Sequence, residues 1–226
     1  MNFVRRLGWT FASPRSLFED IREDRTTWWQ PWIWLSLLYG VFAHYEVPIS
    51  MAVMETNPNN LPLAELDTQL VYMERYASLQ VIGTPVALLF VGLIVCGITY
   101  VAVSLLSESA TFKRYFTMAL YASVIAGISN GINAVVVHAR GIENIRSASD
   151  AAFSLSLRFL APADNSLLEA VLSSIELFGL WGLVFLAMGF VHVFGMSPTR
   201  AVIAVLPWWL LTVALTILGQ GLGAIG

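Results

Sequence analysis

LQVIGTPVALLFVGLIVCGITYVAVSLL, the stretch from Leu79 to Leu106, decides the fold, because no charged residue interrupts it. A helix needs roughly 20 mostly apolar residues to cross about 30 Å of hydrocarbon, and this run exceeds that length. Lipid offers backbone N–H and C=O groups no partner, so a crossing segment must be helical or part of a closed barrel. The run shows no apolar/polar alternation of the kind a barrel strand carries, so it predicts a helix. Working outward, four further segments meet the same test: Trp29 to Ala52, Tyr115 to Val137, Leu167 to Phe194 and Ala201 to Leu222. The expected fold is therefore all-α, a polytopic membrane protein built as a five-transmembrane-helix bundle.

Composition agrees. The chain has 226 residues, 57% of them hydrophobic and 12% charged, with a mean hydropathy of +0.71. Soluble domains carry about 25% charged residues, and half that cannot cover a globule in water. The net charge of −3 argues against a nucleic-acid partner, since phosphate contacts need clustered Lys and Arg. The expected partners are the lipid bilayer and a protein within it, and no small-molecule ligand is specified. Cys96 is the single cysteine, so neither an intrachain disulfide nor a cysteine metal site is expected. The first 25 residues hold five arginines and four acids without an apolar core, which is not the pattern of a cleavable signal.

Basic residues orient the bundle. Eight of them (Arg5, Arg6, Arg15, Arg22, Arg25, Lys113, Arg114 and Arg200) fall on the side of the N-terminus. Four (Arg75, Arg140, Arg146 and Arg158) fall on the other. The positive-inside rule then places the N-terminus in the cytoplasm and the C-terminus outside. Trp28, Trp29, Trp32 and Trp34 open the first span, and Trp208 and Trp209 lie in the fifth.

Residues 1–27 form a separate amphipathic segment ahead of the transmembrane unit at 28–226. Phe3, Val4, Leu7, Phe11, Leu17, Phe18 and Ile21 are spaced among charges, as in short helices lying on a membrane surface. Ser13 before Pro14 supplies an N-cap and first-turn pair for a second helix. In that helix Leu17, Phe18 and Ile21 are expected to face lipid or the bundle, while Glu19, Asp20 and Arg22 stay wet. A weaker interfacial piece runs from Ile145 to Leu160. Residues 57–60 and 161–165 read as turns.

No glycine-rich phosphate loop, paired-histidine metal helix or nucleophile elbow is present, so neither an enzyme nor a cofactor or metal site is expected. His44, His138 and His192 fall on three different spans, each near a membrane edge. Polar residues inside spans carry more information, because an acid near the bilayer centre costs about 2.5–3.5 kcal/mol on insertion scales. Glu176 is the clearest, sharing an i, i+4, i+7 stripe with Glu169 and Ser173 if the fourth span is continuous. Ser123, Gly127 and Asn130 make a matching stripe on the third span, where Gly131 completes a GxxxG motif and Asn133 lies close by. Glu46 and His44 of the first span stand at a similar level. Glu176, Asn130, Asn133, Glu46 and His44 thus form a candidate polar cluster. It reads either as interhelical glue or as a proton- or ligand-sensitive site.

SIELFGLWGLVFLAMGF, Ser174 to Phe190, resembles the Yip domain family, named for Ypt/Rab-interacting proteins. The resemblance continues in Met196 to Ala201, in Ser13-Pro14-Arg15 with Phe18 to Arg22, in Trp29-Gln30-Pro31 and in Ala110 to Arg114. It implies five transmembrane helices and a cytoplasmic N-terminus. Trp29-Gln30-Pro31 stands where eukaryotic members carry an Asp-Leu-Tyr-Gly-Pro type motif, so the resemblance is to the bacterial type. Such members resemble accessory membrane subunits, some encoded beside ABC-type export systems. The implied role is a non-enzymatic scaffold or accessory subunit of the inner (plasma) membrane. A small transporter or channel using the polar cluster is the alternative. Glu176, Trp181 and Pro31 map onto family motif positions, and none is catalytic there.

Overall fold

The computed structural model describes residues 3–56, 63–145, 155–161 and 166–223. Among the described residues eight α-helices run in chain order: α1 (Phe3–Ala12), α2 (Pro14–Arg22), α3 (Trp29–Thr56), α4 (Leu63–Leu106), α5 (Phe112–Arg140), α6 (Ser166–Ser173), α7 (Leu177–Phe194) and α8 (Pro198–Gly223). Short 3-10 turns at Ile142–Asn144 and Leu157–Leu160 lie between α5 and α6. Five of the described helices are long and apolar enough to cross a membrane: Trp29–Glu55, Gly83–Leu106, Phe112–Arg140, Leu177–Phe194 and Pro198–Leu215. The expected helical bundle is the fold observed. Asn57 to Asn60 and Pro162 to Asn165, expected turns, lie outside the described residues, as does most of the expected interfacial piece after Ile145.

α5 is the central helix, packed against α3, α4, α7 and the N-terminal pair α1 and α2. Small residues set how closely its neighbours approach. A Cβ built on Gly131 would lie 2.2 Å from the ring of Phe42, so α3 and α5 touch there through a hole that only glycine leaves. Gly127 plays the same part opposite Leu38 one turn earlier. The small-residue stripe of the third span therefore faces the first span.

α4 departs from expectation at its start. The helix begins at Leu63 rather than near Leu79 and runs 44 residues, about 66 Å at 1.5 Å per residue. Its neighbour α3 is displaced along it. The Trp32 indole N–H donates to the Pro85 carbonyl at 3.1 Å, so α3 starts beside the middle of α4 and not beside its end at Leu106. The remainder of α3 runs back along the first half of α4. A small second core of Ile49, Val137 and Ile145 forms where α3 passes the end of α5.

The N-terminal helices sit below the start of α3. Leu17, Phe18 and Ile21 are almost wholly enclosed within the main core. Phe18 meets the Phe185 ring at 4.8 Å and stacks on His192 at 6.0 Å. Gly189 makes room, since a Cβ there would lie 2.7 Å from Met118 Sδ and 3.1 Å from the Phe18 ring. Of the two surfaces open to this apolar face, lipid or bundle, the bundle holds it. Glu19 and Arg22 are exposed as expected, but Asp20 is not: only 2% of it remains accessible. Its Oδ2 accepts from Arg6 Nε at 2.9 Å, and Arg6 is 5% exposed. Arg6 also donates from Nη1 to the Gln30 side-chain oxygen at 2.9 Å and from Nη2 to the Arg25 carbonyl at 2.6 Å. Thr26 donates to the same Gln30 oxygen and is itself bonded by Tyr121. A buried charge pair is tolerable only when its remaining donors and acceptors are met, and this network meets them. The physical reason for the correction is that Asp20 found a charged partner from α1, which its position on α2 does not reveal.

Asp24, which closes the turn into α3, has a left-handed backbone (φ 54°). It accepts from Arg114 Nη2 at 2.6 Å and from Lys113 Nζ at 3.3 Å, tying the N-terminal pair to the start of α5. The hydrogen bond from Arg114 is the largest influence holding its carboxyl below the ordinary value of 3.8.

Phe18→Ala is expected to lower stability by about 3–5 kcal/mol, the usual range for emptying a buried aromatic site. Chemical unfolding of the purified protein in mild detergent checks it, and an unchanged midpoint refutes the packing described. A carboxyl with a depressed folded pKa contributes stability that is complete above its ordinary value and fades as pH falls through the lower one. On acidification below 3.8, the native chain should lose slightly more stability than Asp24→Asn, the difference staying small because the pair is exposed.

Candidate functional site

The fourth span is broken, and the break reorganises the candidate cluster. Instead of one helix from Leu167 to Phe194, α6 ends at Ser173 and α7 begins at Leu177. Between them Glu176 adopts an extended backbone (φ −116°, ψ 144°) as the residue before α7. Exposed backbone groups at such a break need partners, and a second extended piece supplies them. The Leu157 N–H donates to the Ile175 carbonyl at 3.1 Å, and the Leu177 N–H donates to the Leu155 carbonyl at 3.3 Å, a short antiparallel bridge pairing Ser156 with Glu176. The Ser174 hydroxyl closes the end of α6 by donating to the Val171 carbonyl at 2.7 Å.

Two expectations fall with the continuous span. Glu169, Ser173 and Glu176 do not share one helical face, because the helix stops between the last two. Glu176 is also not an acid deep within a span. It stands at the end of α7, whose 18 residues extend about 27 Å, close to a full hydrocarbon thickness. The sequence contains no proline or glycine at 173–176 to announce the break. The available signal is the pair Ser173-Ser174 followed by β-branched Ile175, residues that compete for or fit poorly in a helix.

The other members are placed as follows. Asn130 donates from its side-chain nitrogen to the Tyr39 hydroxyl at 3.3 Å, binding α5 to α3. Asn133, half-buried, lies one turn on along α5. Glu46 is exposed on α3, and the side chain of His44 lies outside the described residues. Tyr39 is near enough to both Glu46 and Glu176 to feel their charge. Glu176 is expected within reach of Asn130 or Asn133, directly or through water, and Asn130 is hydrogen-bonded to Tyr39 rather than directly to Glu176. Tyr39, which the sequence reading did not single out, is the partner instead. A tyrosine in an aromatic-rich span carries no mark that distinguishes it.

Glu176 faces a cavity of about 330 Å³ between α5, α7 and α8, together with Ser123, Ser174, Thr212, Trp208 and Trp209. Its Oε1 is buried and meets no hydrogen-bond partner among the described residues. Of the other histidines, His192 stacks on Phe18, while His138 bonds the Ala134 carbonyl at 2.9 Å through Nδ1 and meets Tyr45 edge-on. Among the described residues no three His, Cys, Asp or Glu side chains gather as a metal site would require.

Taken together, five apolar helices, an N-terminal helix α2 with its apolar face packed into their core and sparse polar contacts between spans define a polytopic α-helical membrane protein. A family model described as the Yip1 domain matches residues 10–219, and the chain belongs to that family. No curated protein and no solved structure matches it.

A double-mutant cycle separates the two parts of the cluster. Tyr39→Phe and Asn130→Leu should couple by about 0.6 kcal/mol, the average for hydrogen bonds between membrane helices. Glu176→Gln and Asn130→Leu should add within about 0.5 kcal/mol. Strong coupling in the second pair would restore the direct contact that the geometry lacks.

Proposed function

We propose that this chain is a non-enzymatic scaffold or accessory subunit of a membrane complex, with its N-terminus in the cytoplasm of a bacterial cell and an ABC-type exporter as a fitting class of partner. The observation that carries the reading is the first half of α4. The helix is about twice as long as a bilayer's hydrocarbon is thick and runs on beyond the uncharged span at Gly83–Leu106. Glu65, Asp67, Glu74 and Arg75 lie before Gly83, and no charged residue follows before Leu106. This first half carries Tyr72, Tyr76 and Leu79 at i, i+4 and i+7, one stripe on its surface. All three are exposed, and the two tyrosine rings stack at 5.8 Å. An exposed aromatic stripe among charged residues suits a partner's side chains, since aromatic residues are enriched at protein interfaces.

The cluster around Tyr39 supports the same reading. Asn130 is spent on an interhelical hydrogen bond and Glu46 points outward, so they do not line a common path for a solute.

Tyr72→Asp with Tyr76→Asp should abolish retention of a stoichiometric membrane partner in affinity purification from mild detergent, while the protein still inserts and purifies. Full retention by the double variant would remove the basis for this docking role. Reporter fusions should find Met1 cytoplasmic and Gly226 external, and both termini on one side would overturn the proposed orientation.

A further inference from the structure

The cavity beside Glu176 does not stand alone. A second hollow of about 350 Å³ adjoins it along the groove between α7 and α8, and Leu183 and Trp209 line both. The second is apolar throughout, with Val184, Ala187, Val202 and Leu206 among its walls. One space is therefore polar at the end where α7 begins, and the other is greasy along the flank of the same helix. Each falls within the size of ordinary ligand sites, about 300–1,000 Å³.

The chemistry of the polar space narrows what fits. A buried carboxylate oxygen without a donor is unfavourable until it meets a proton or a cation. The α7 N-terminus beside Glu176 favours the charged carboxylate, because the helix macrodipole is positive there. The indole rings of Trp208 and Trp209 attract cations to their faces. Among the described residues neither hollow has a lysine or arginine in its lining, so a phosphate placed there would meet no counter-charge from them. We propose that the two hollows form one site for a hydrophobic ammonium amphipath: a single apolar chain bearing a protonated or quaternary amine and no phosphate. The ammonium sits against Glu176 beside the two tryptophans, and the chain lies in the α7–α8 groove. This site is independent of the docking role assigned to α4.

Dodecyltrimethylammonium titrated into the full-length protein in phosphatidylcholine nanodiscs tests it by calorimetry, with empty nanodiscs subtracted. Saturable binding at one site per chain is expected, with dodecanol, dodecyl sulfate and dodecylphosphocholine showing only the partition seen in empty discs. Glu176→Gln should weaken the binding at least tenfold without moving the unfolding midpoint. Gly179→Leu fills the polar space from a position where an added Cβ meets nothing closer than 3.6 Å, and it should block binding with the acid intact. Absence of saturable binding, or equal saturable binding of dodecanol, overturns the proposal whatever the variants do. Unchanged affinity in a folded Glu176→Gln protein overturns it as well.

Discussion

Arg6 and Asp20 hold the lower part of the bundle together. Each would be strongly unfavourable in the core alone, and the network around them leaves neither without partners. Because the pair is satisfied, α2 can pack its apolar face against the bundle with Asp20 buried. That placement lets Phe18 fill the gap between Phe185, Met118 and Gly189. It also fixes the start of α3, since Gln30 and the Arg25 carbonyl belong to the same network. The displacement of α3 along α4 accompanies this arrangement: the volume below Trp29 is occupied by the N-terminal pair.

The break at Ser174–Glu176 solves a different problem. A membrane segment can leave the helix only where other groups take over its backbone hydrogen bonds. Here residues 155–157 do so, and the irregular backbone lines a cavity. Glu176 is thereby moved from a continuous helical face to a helix N-terminus, where its charge is favoured and its direction changes. Asn130 and Tyr39 are left to a separate contact between α3 and α5. What reads along the chain as one polar level is a hydrogen bond between Tyr39 and Asn130, with Glu176 at a helix N-terminus near enough to Tyr39 to feel its charge.

Membership of the Yip1 domain family accounts for the broad architecture, and the match spans α2 and the transmembrane helices. The long α4 carries an exposed Tyr72–Tyr76–Leu79 stripe on its first half. Packing within the spans is tightest around α5, α7 and α2. The described residues in the first half of α4 show little burial by comparison.

By itself the sequence determined that this is a five-span helical membrane protein, because mostly apolar runs long enough to cross a bilayer's hydrocarbon permit little else. It also determined the apolar face of α2, through the spacing of Leu17, Phe18 and Ile21, and the close contact at Gly127 and Gly131. Those features depend on local spacing, which the chain displays directly. Tertiary structure alone decided that Asp20 is buried, since its neutralising partner comes from another helix. It decided that the fourth span breaks, because the stabilising bonds come from residues 155–157, about twenty positions away. It decided as well that Asn130 meets Tyr39 and not Glu176. Each of these depends on a partner distant in the chain, and the energy of such a pairing has no local signature.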